Sequence, residues 1–182
     1  SMISMALCPL LIKKLNERNA YILLSVYGFA ASIFSFVIGH FWFQSPKNMA
    51  LTVLFYASLF LIGLQFGAVT LMPMIMTADA VDYYEYETGK RMEGACYSIL
   101  TLTIKVCLAL GTAVGLIFVQ KSGYYESLTA GTFTTKTKDI IFFAYTALPG
   151  ILALISIFPM FKYDIVGEKK AKISSELAAR RK

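Results

Sequence analysis

One lysine stands in the middle of a long apolar segment. Lys105 is the only formally charged residue between Gly94 and Gln120. A helical rise of about 1.5 Å per residue places it about 16 Å after Gly94, near the middle of a ~30 Å hydrocarbon core. An ammonium group at this depth costs roughly 3 kcal/mol on insertion scales, so its side chain is expected to face a cavity or an opposite charge. We therefore predict a functional role for Lys105.

Polar side chains recur on the same face of this segment. Ser98, Thr101, Lys105 and Thr112 follow helical spacing and form a stripe on an otherwise apolar helix. Such hydroxyls often bond only to the backbone of their own helix, but their alignment with Lys105 favours a hydrophilic path. Every Asp and Glu of the chain falls at or outside the predicted membrane interfaces. We therefore expect the counter-charge of Lys105 to come from residues outside this chain.

A second group of charges directly precedes this segment. Asp79, Asp82 and Glu85 recur at three-residue spacing, and Arg91 and Glu93 follow. A charged face is usually only solvated, but these alternating signs begin where a long apolar span ends. They are suited to pairing with basic loops of another bundle and latching one conformation closed. An alternative is a divalent metal held by the three-residue carboxylate spacing, in a membrane enzyme that acts on lipid phosphates. The nearby cations disfavour that alternative.

The elements that position these residues are membrane spans. Hydrophobic residues make up 57% of the sequence and charged residues 15%, and the mean hydropathy is +0.63. Runs long enough to cross a bilayer predict spans at about 20–43, 49–78, 94–119 and 140–161. Residues 1–12 are apolar but too short, and they predict part of a further span. The predicted fold is therefore an all-α integral membrane bundle over 1–163, followed by a basic tail over 164–182.

The distribution of basic residues predicts the orientation. One side of the membrane receives 12 of them, including the group around Lys13, and the other side receives four: Lys47, Lys121, Lys136 and Lys138. Because basic loops stay inside, this predicts a multi-pass protein of the cytoplasmic membrane with a cytoplasmic C-terminus. The net charge of +6 is then explained by topology, and no nucleic-acid partner is predicted.

A long motif resembles a known family. Residues 78–94 read ADAVDYYEYETGKRMEG, which is similar to the A-D-x-x-D-Y-x-E-x-x-T-G-x-R-x-E-G segment of the glycoside-pentoside-hexuronide:cation symporters, the melibiose-carrier-like branch of the major facilitator superfamily. The positions of Tyr97, Ser98, Thr101 and Lys105 continue the family pattern at matching spacing. The basic loop over 9–18 and the tail over 163–181 also resemble the family, so nearly the whole chain is covered.

The resemblance implies the C-terminal bundle of a 12-helix carrier, from the end of the eighth helix to the twelfth. It implies cation-coupled symport of a sugar or glycoside by alternating access, with sodium or a proton as the coupling ion. No enzyme activity or other cofactor is expected. The implied partners are the sugar, the cation, the lipid bilayer and the N-terminal bundle of the same protein. A non-transporting structural membrane protein is a further alternative.

The resemblance also implies residue roles. Lys105 and Thr101, with Ser98 and Tyr97, correspond to the sugar and cation site. The charged network on the cytoplasmic side corresponds to Asp79, Asp82, Glu85, Arg91 and Glu93. Thr70 occupies the position of a tryptophan in melibiose carriers, and the missing ring argues against melibiose as the substrate.

Overall fold

The structure, a computed structural model, describes residues 2–180. These residues form helices and turns, with no strand among them. The helices are α1 Met2–Gln44, α2 Met49–Thr88, α3 Glu93–Lys121, α4 Tyr124–Ala130, α5 Thr135–Tyr145, α6 Ala147–Ile155, α7 Ile157–Met160 and α8 Gly167–Arg180. Ser1, Arg181 and Lys182, which belong to the predicted partial span and tail, lie outside the described residues.

Four segments are long and apolar enough to cross a membrane. They are Cys8–Gln44, Met49–Thr88, Glu93–Lys121 and Thr135–Met160. The predicted all-α membrane fold class is confirmed. The helices differ from the simple picture of one straight helix for each predicted span in three places, each for a local reason.

The first difference is a sharp bend in α1. Asn16 has φ 63° and ψ 161°, which is not helical; asparagine tolerates positive φ better than most residues. Cys8 and Ala20 would lie about 18 Å apart on a straight helix, yet both pack in one buried cluster with Met72. The chain therefore turns at Asn16. The expected basic loop is helical on both sides of this single residue, rather than an extended connection.

The second difference is the length of α2. The predicted span ends at residue 78, but the helix continues to Thr88 through the charged run. It ends at Gly89, which adopts the left-handed conformation (φ 71°) and donates its N–H to the carbonyl of Glu85. No residue between 79 and 88 is a helix breaker, so the run that follows the apolar span is part of the same helix.

The third difference is that the last span is interrupted. Predicted as one span over 140–161, it consists of α5, α6 and α7, which are separated at Thr146 and Ser156. Pro149 has no N–H to offer the carbonyl of Tyr145, which weakens the helix at this point. The segment begins earlier than predicted because Thr134 caps it, accepting a hydrogen bond from the N–H of Thr137.

The tail also forms a helix. The apolar residues Ile173 and Leu177 lie four positions apart, on one face of this helix. Both side chains are buried, at 4% and 3% exposure, and α8 packs against α2. The helix therefore docks on the protein itself, and Ile173 lies beside Asp79 and Asp82 of the charged run.

Polar and small side chains hold the bundle together. Ser25, Ser32, Ser35 and Ser58 are almost completely buried, and Gly150 lies directly against Ser32. In lipid, helices associate through such close packing because the hydrophobic effect no longer distinguishes protein from solvent.

One end of the bundle, the aromatic end, carries the stacked rings of Trp42 and Phe55. The opposite end, the charged end, carries the carboxylates and cations described below.

The helix α3 is the exception to this packing. None of its residues is buried, and an added Cβ at Gly111 or Gly115 would meet nothing within 4 Å. A ring contact between Phe118 and Phe143 joins it to α5 near the aromatic end. The helix that bears Lys105 is therefore the one whose surface the rest of the described chain leaves most open.

Candidate functional site

The predicted site residues of α3 line one recess. Gly94, Tyr97, Ser98, Thr101, Leu102 and Lys105 surround an open space of about 400 Å³, which we call the Lys105 recess. The helical repeat brings these residues to one face. Thr112, the last member of the predicted stripe, does not line the recess.

The hydroxyl groups of the stripe bond to their own helix. Ser98 donates to the carbonyl of Gly94 at 2.7 Å, Thr101 to that of Tyr97 at 2.8 Å, and Thr112 to that of Leu108 at 2.8 Å. This is the common backbone role that was weighed against a hydrophilic path. The hydroxyl oxygens keep lone pairs that can accept from a ligand, so Ser98 and Thr101 contribute acceptors to the recess.

Lys105 has no counter-charge within residues 2–180. The ion pairs formed there involve other cations: His40, Arg91, Lys169, Lys170, Lys172 and Arg180. A lysine at mid-membrane depth needs water or a carboxylate nearby. Water or a carboxylate from outside the described residues is therefore needed beside the Lys105 ammonium group.

The residues predicted to form the charged latch lie in two separate clusters. In the first, the Arg91 cluster, the guanidinium lies 3.1 Å from Glu85 Oε2, 3.1 Å from Glu93 Oε2 and 3.5 Å from Asp82 Oδ1. The hydrogen bonds that Arg91 donates to Glu93 and Glu85 raise the pKa of its guanidinium. The cluster ties the end of α2 to the start of α3, across the short connection that contains Gly89.

Asp79 belongs to a second cluster, which does not include Asp82 or Glu85. In this Lys170 cluster, the lysine Nζ lies 2.7 Å from Asp79 Oδ1 and 2.7 Å from Glu17 Oε1, and the Tyr163 hydroxyl donates to Asp79 Oδ2 at 3.3 Å. The side chains of Glu17 and Asp79 are each 9% exposed. The cluster joins the bend of α1, the extension of α2 and the tail helix α8 at one point.

Sequence reasoning missed three members of this cluster. Lys170 lies 153 positions from Glu17 and 91 from Asp79, and Tyr163 lies 84 from Asp79. No local spacing links them. The one available signal was a lone acidic residue, Glu17, within the otherwise basic segment 13–18.

The electrostatics of the Lys170 cluster favour the charged lysine. Burial alone would lower the pKa of Lys170, but its hydrogen bonds to Asp79 and Glu17 outweigh this and raise it. Burial, reinforced by the negative charge of Asp79, raises the pKa of the Tyr163 phenol. The Lys170 ammonium group and the neutral Tyr163 hydroxyl thus both donate to the carboxyl group of Asp79.

The arrangement does not favour the alternative of a metal-dependent enzyme. Asp79 pairs with Lys170, while Asp82 and Glu85 pair with Arg91, so the three carboxylates do not converge. Across residues 2–180, no three His, Cys, Asp or Glu side chains are placed to hold a metal ion.

Comparison with known proteins gives the family. Residues 1–167 match the family described as MFS/sugar transport protein. The chain belongs to this family. The match confirms the predicted resemblance to sugar-transporting proteins of the major facilitator type, and the family comprises transporters, not enzymes.

Several curated relatives are similar to the chain. It is 30% identical over 184 residues to the lactose permease of Lactobacillus delbrueckii subsp. bulgaricus, covering 97% of this chain and 27% of the permease. It is 25% identical over 182 residues to the glucuronide carrier protein homolog of Escherichia coli K12, covering 98% of this chain and 36% of the carrier. An uncharacterized 29.9 kDa protein of Pseudescherichia vulneris is 27% identical over 149 residues, covering 82% of this chain and 53% of that protein.

The chain spans about half or less of the length of these relatives. No solved structure gave a significant match.

Proposed function

We propose that the protein is a cation-coupled sugar symporter of the cytoplasmic membrane, and that this chain is the C-terminal bundle of the carrier. The observation that carries the proposal is the Lys105 recess. It brings a cation and hydroxyl acceptors together on the helix that the described chain leaves uncovered, and the sequence predicts that this position lies near the middle of the membrane. An N-terminal bundle packed on this face would supply the missing carboxylates and close the site.

The chemistry of the recess suits a sugar next to a coupling ion. The ammonium group of Lys105 offers three donors, and the hydroxyls of Ser98 and Thr101 offer acceptors, which together match the alternating donors and acceptors of a sugar. The coupling cation, sodium or a proton, would bind carboxylates of the N-terminal bundle near Lys105. The ammonium group competes electrostatically with that cation, which is a physical route to coupling.

The charged end supplies a means of alternating access. The Arg91 cluster and the Lys170 cluster lie at one end of the bundle, which the distribution of basic residues assigns to the cytoplasm. The pairs that Arg91 forms with Asp82 and Glu93 are exposed and individually weak, so their partners can be exchanged between conformations. Pairing with basic loops of the N-terminal bundle would close the cytoplasmic side in one state and release it in the other.

The test is uptake by the full-length protein carrying Lys105→Ala. A charge-assisted hydrogen bond contributes about 2 kcal/mol, so concentrative uptake should fall about thirtyfold. The matched control is Lys121→Ala, because Lys121 is an exposed lysine at the far end of the same helix; its removal should leave uptake unchanged. Uptake is measured in membrane vesicles under an imposed sodium or proton gradient.

The substrate panel begins with a galactoside and a glucuronide, because two relatives are named as a lactose permease and a glucuronide carrier homolog. Gradient-driven uptake that is undiminished in Lys105→Ala would contradict the assigned role of the recess. Uptake that no cation gradient stimulates would contradict the coupling.

A further inference from the structure

Three cations at the bend of α1 have no acidic partner in the described chain. Lys13 and Lys14 are exposed and Arg18 is half-buried, and within residues 2–180 none of the three forms an ion pair. The one carboxylate of this segment, Glu17, is 7% exposed and pairs with Lys170 of the tail helix. Because a distant segment engages the local acid, the three cations, which we call the basic corner, remain available to another anion.

An apolar groove begins next to the basic corner. It has a volume of about 340 Å³ and is lined by Leu15, Asn19, Ile22, Leu23 and Val26. We call it the α1 groove. Leu15 directly follows Lys14 in the chain, and Asn19 directly follows Arg18, so one end of the groove lies at the level of the cations. From Asn19 to Val26 the helix rises about 10 Å, within the segment that is long and apolar enough to cross a membrane.

The described chain leaves this groove open. Leu23 and Val26 are 50% and 48% exposed, and no acidic residue lines the groove. A span in lipid exposes such side chains to the acyl chains of any lipid, so the apolar lining by itself selects no particular molecule. The selection has to come from the basic corner.

The chemistry of the basic corner suits a phosphate group that carries a negative charge. The guanidinium of Arg18 can donate two parallel hydrogen bonds to one phosphate, and the amide of Asn19 is a further donor at the same level. Lysines near a membrane surface attract anionic headgroups and discriminate against neutral ones. Cations at one end of an apolar groove therefore match an amphiphile with an anionic head and an apolar chain.

The position in the membrane agrees with this occupant. The distribution of basic residues assigns the bend of α1 to the cytoplasmic side, where membranes carry their negative surface potential. The groove is about 10 Å long, which fits within the ~15 Å of hydrocarbon in one leaflet. We propose that the basic corner and the α1 groove bind one anionic phospholipid, with its phosphate at the cations and one acyl chain along the groove.

The test is photocrosslinking of the full-length protein in phosphatidylcholine nanodiscs. A small fraction of the lipid is replaced by phosphatidylglycerol or by phosphatidylcholine, each with a diazirine in one acyl chain, and peptide mass spectrometry measures the label on residues 15–26. One cation near the surface favours an anionic lipid about fivefold, so the phosphatidylglycerol probe should label this segment at least about fivefold more than the phosphatidylcholine probe. High salt should reduce the preference, because it screens exposed charges.

Two triple variants separate a local site from the net charge of the protein. Lys13→Gln with Lys14→Gln and Arg18→Gln should bring the two probes to about equal labelling of residues 15–26. The matched control removes the same number of charges at the opposite end of the bundle, from exposed lysines: Lys121→Gln with Lys136→Gln and Lys138→Gln. This control should keep the preference. Circular dichroism and the melting temperature confirm that both variants are folded.

Four results would each overturn the proposal. They are an absence of label on residues 15–26, which would mean that another part of the protein covers the groove; equal labelling by the two probes in the unmodified protein; a preference that survives both high salt and loss of the basic corner; and a preference that the control variant loses as well. Uptake plays no part in the readout and a nanodisc presents both leaflets alike, so the outcome is independent of the symport proposal.

Discussion

The docking of the tail helix α8 depends on one side chain, that of Lys170. Within residues 2–180, Lys170 is the one cation that forms ion pairs with both Glu17 and Asp79, and it joins α8 to two other helices. Lys170→Met keeps the aliphatic stem and removes the charge. The two carboxylates, each 9% exposed, would then lie close together without a cation, with only the Tyr163 hydroxyl still donating to Asp79, so α8 should undock more readily.

The magnitude follows from the burial of the three groups. Removing one partner of a fully buried ion pair costs about 3–5 kcal/mol. Because the Lys170 side chain is 36% exposed, water screens part of this interaction, and we reduce the cost to about 1–3 kcal/mol. The opening constant of α8 should therefore rise between about fivefold and 150-fold.

The assay is hydrogen–deuterium exchange of residues 167–180 in the purified protein. The hydrogen-bonded amides of α8 exchange in proportion to the opening constant, which converts the predicted free energy directly into a rate. The matched control is Lys172→Met on the same helix. Lys172 is 70% exposed and 4.0 Å from Glu176 Oε1, and a surface pair of this kind contributes at most about 0.5 kcal/mol.

A rescue separates the charge effect from simple loss of packing. Adding Glu17→Gln and Asp79→Asn to Lys170→Met removes the two unpaired charges, so the protection of α8 should recover in part. Equal exchange of residues 167–180 in Lys170→Met and Lys172→Met would refute the reasoning. So would a triple variant that exchanges faster than Lys170→Met alone.

Two further substitutions test the packing and the second charged cluster. Gly39→Ala places a Cβ in the ring of Phe142, so overpacking should lower the free energy of unfolding by about 1–3 kcal/mol. Denaturant unfolding in detergent measures this free energy, and Gly63→Ala is the control because its Cβ meets nothing within 4 Å. Equal stabilities of the two variants would contradict the packing of Gly39 against Phe142. Arg91→Gln removes the cation between α2 and α3, so exchange over residues 82–93 should increase while that over 167–180 stays unchanged. Lys90→Gln is its control, and a parallel rise over 167–180 would show that the two clusters are not independent.

Much of the fold was accessible from the sequence because lipid imposes a simple rule. A chain in hydrocarbon has to bond its backbone groups internally, so each long apolar run predicts a helix whatever surrounds it. The same rule singled out Lys105, since a charge in such a run requires an explanation. Helical periodicity then predicted that Ser98, Thr101 and Lys105 share a face, and the structure shows that they line one recess.

The partners of the charged residues could not be predicted this way. Asp79 lies three positions from Asp82 and was grouped with it, yet the fold directs it to Lys170 and leaves Asp82 with Arg91. Spacing along one helix specifies a face, but it does not specify which distant segment meets that face. That choice depends on where the tail helix docks, which in turn rests on the burial of Ile173 and Leu177.

The sequence by itself determined the membrane spans, the family and the face that carries Lys105, because each is a property of local composition or of a continuous motif. The tertiary structure decided the turn at Asn16, the division of the predicted latch residues into two clusters and the packing of Gly150 against Ser32. The Lys170 cluster and the Gly150 packing join segments that lie far apart in the chain. No local pattern reveals which distant segments meet.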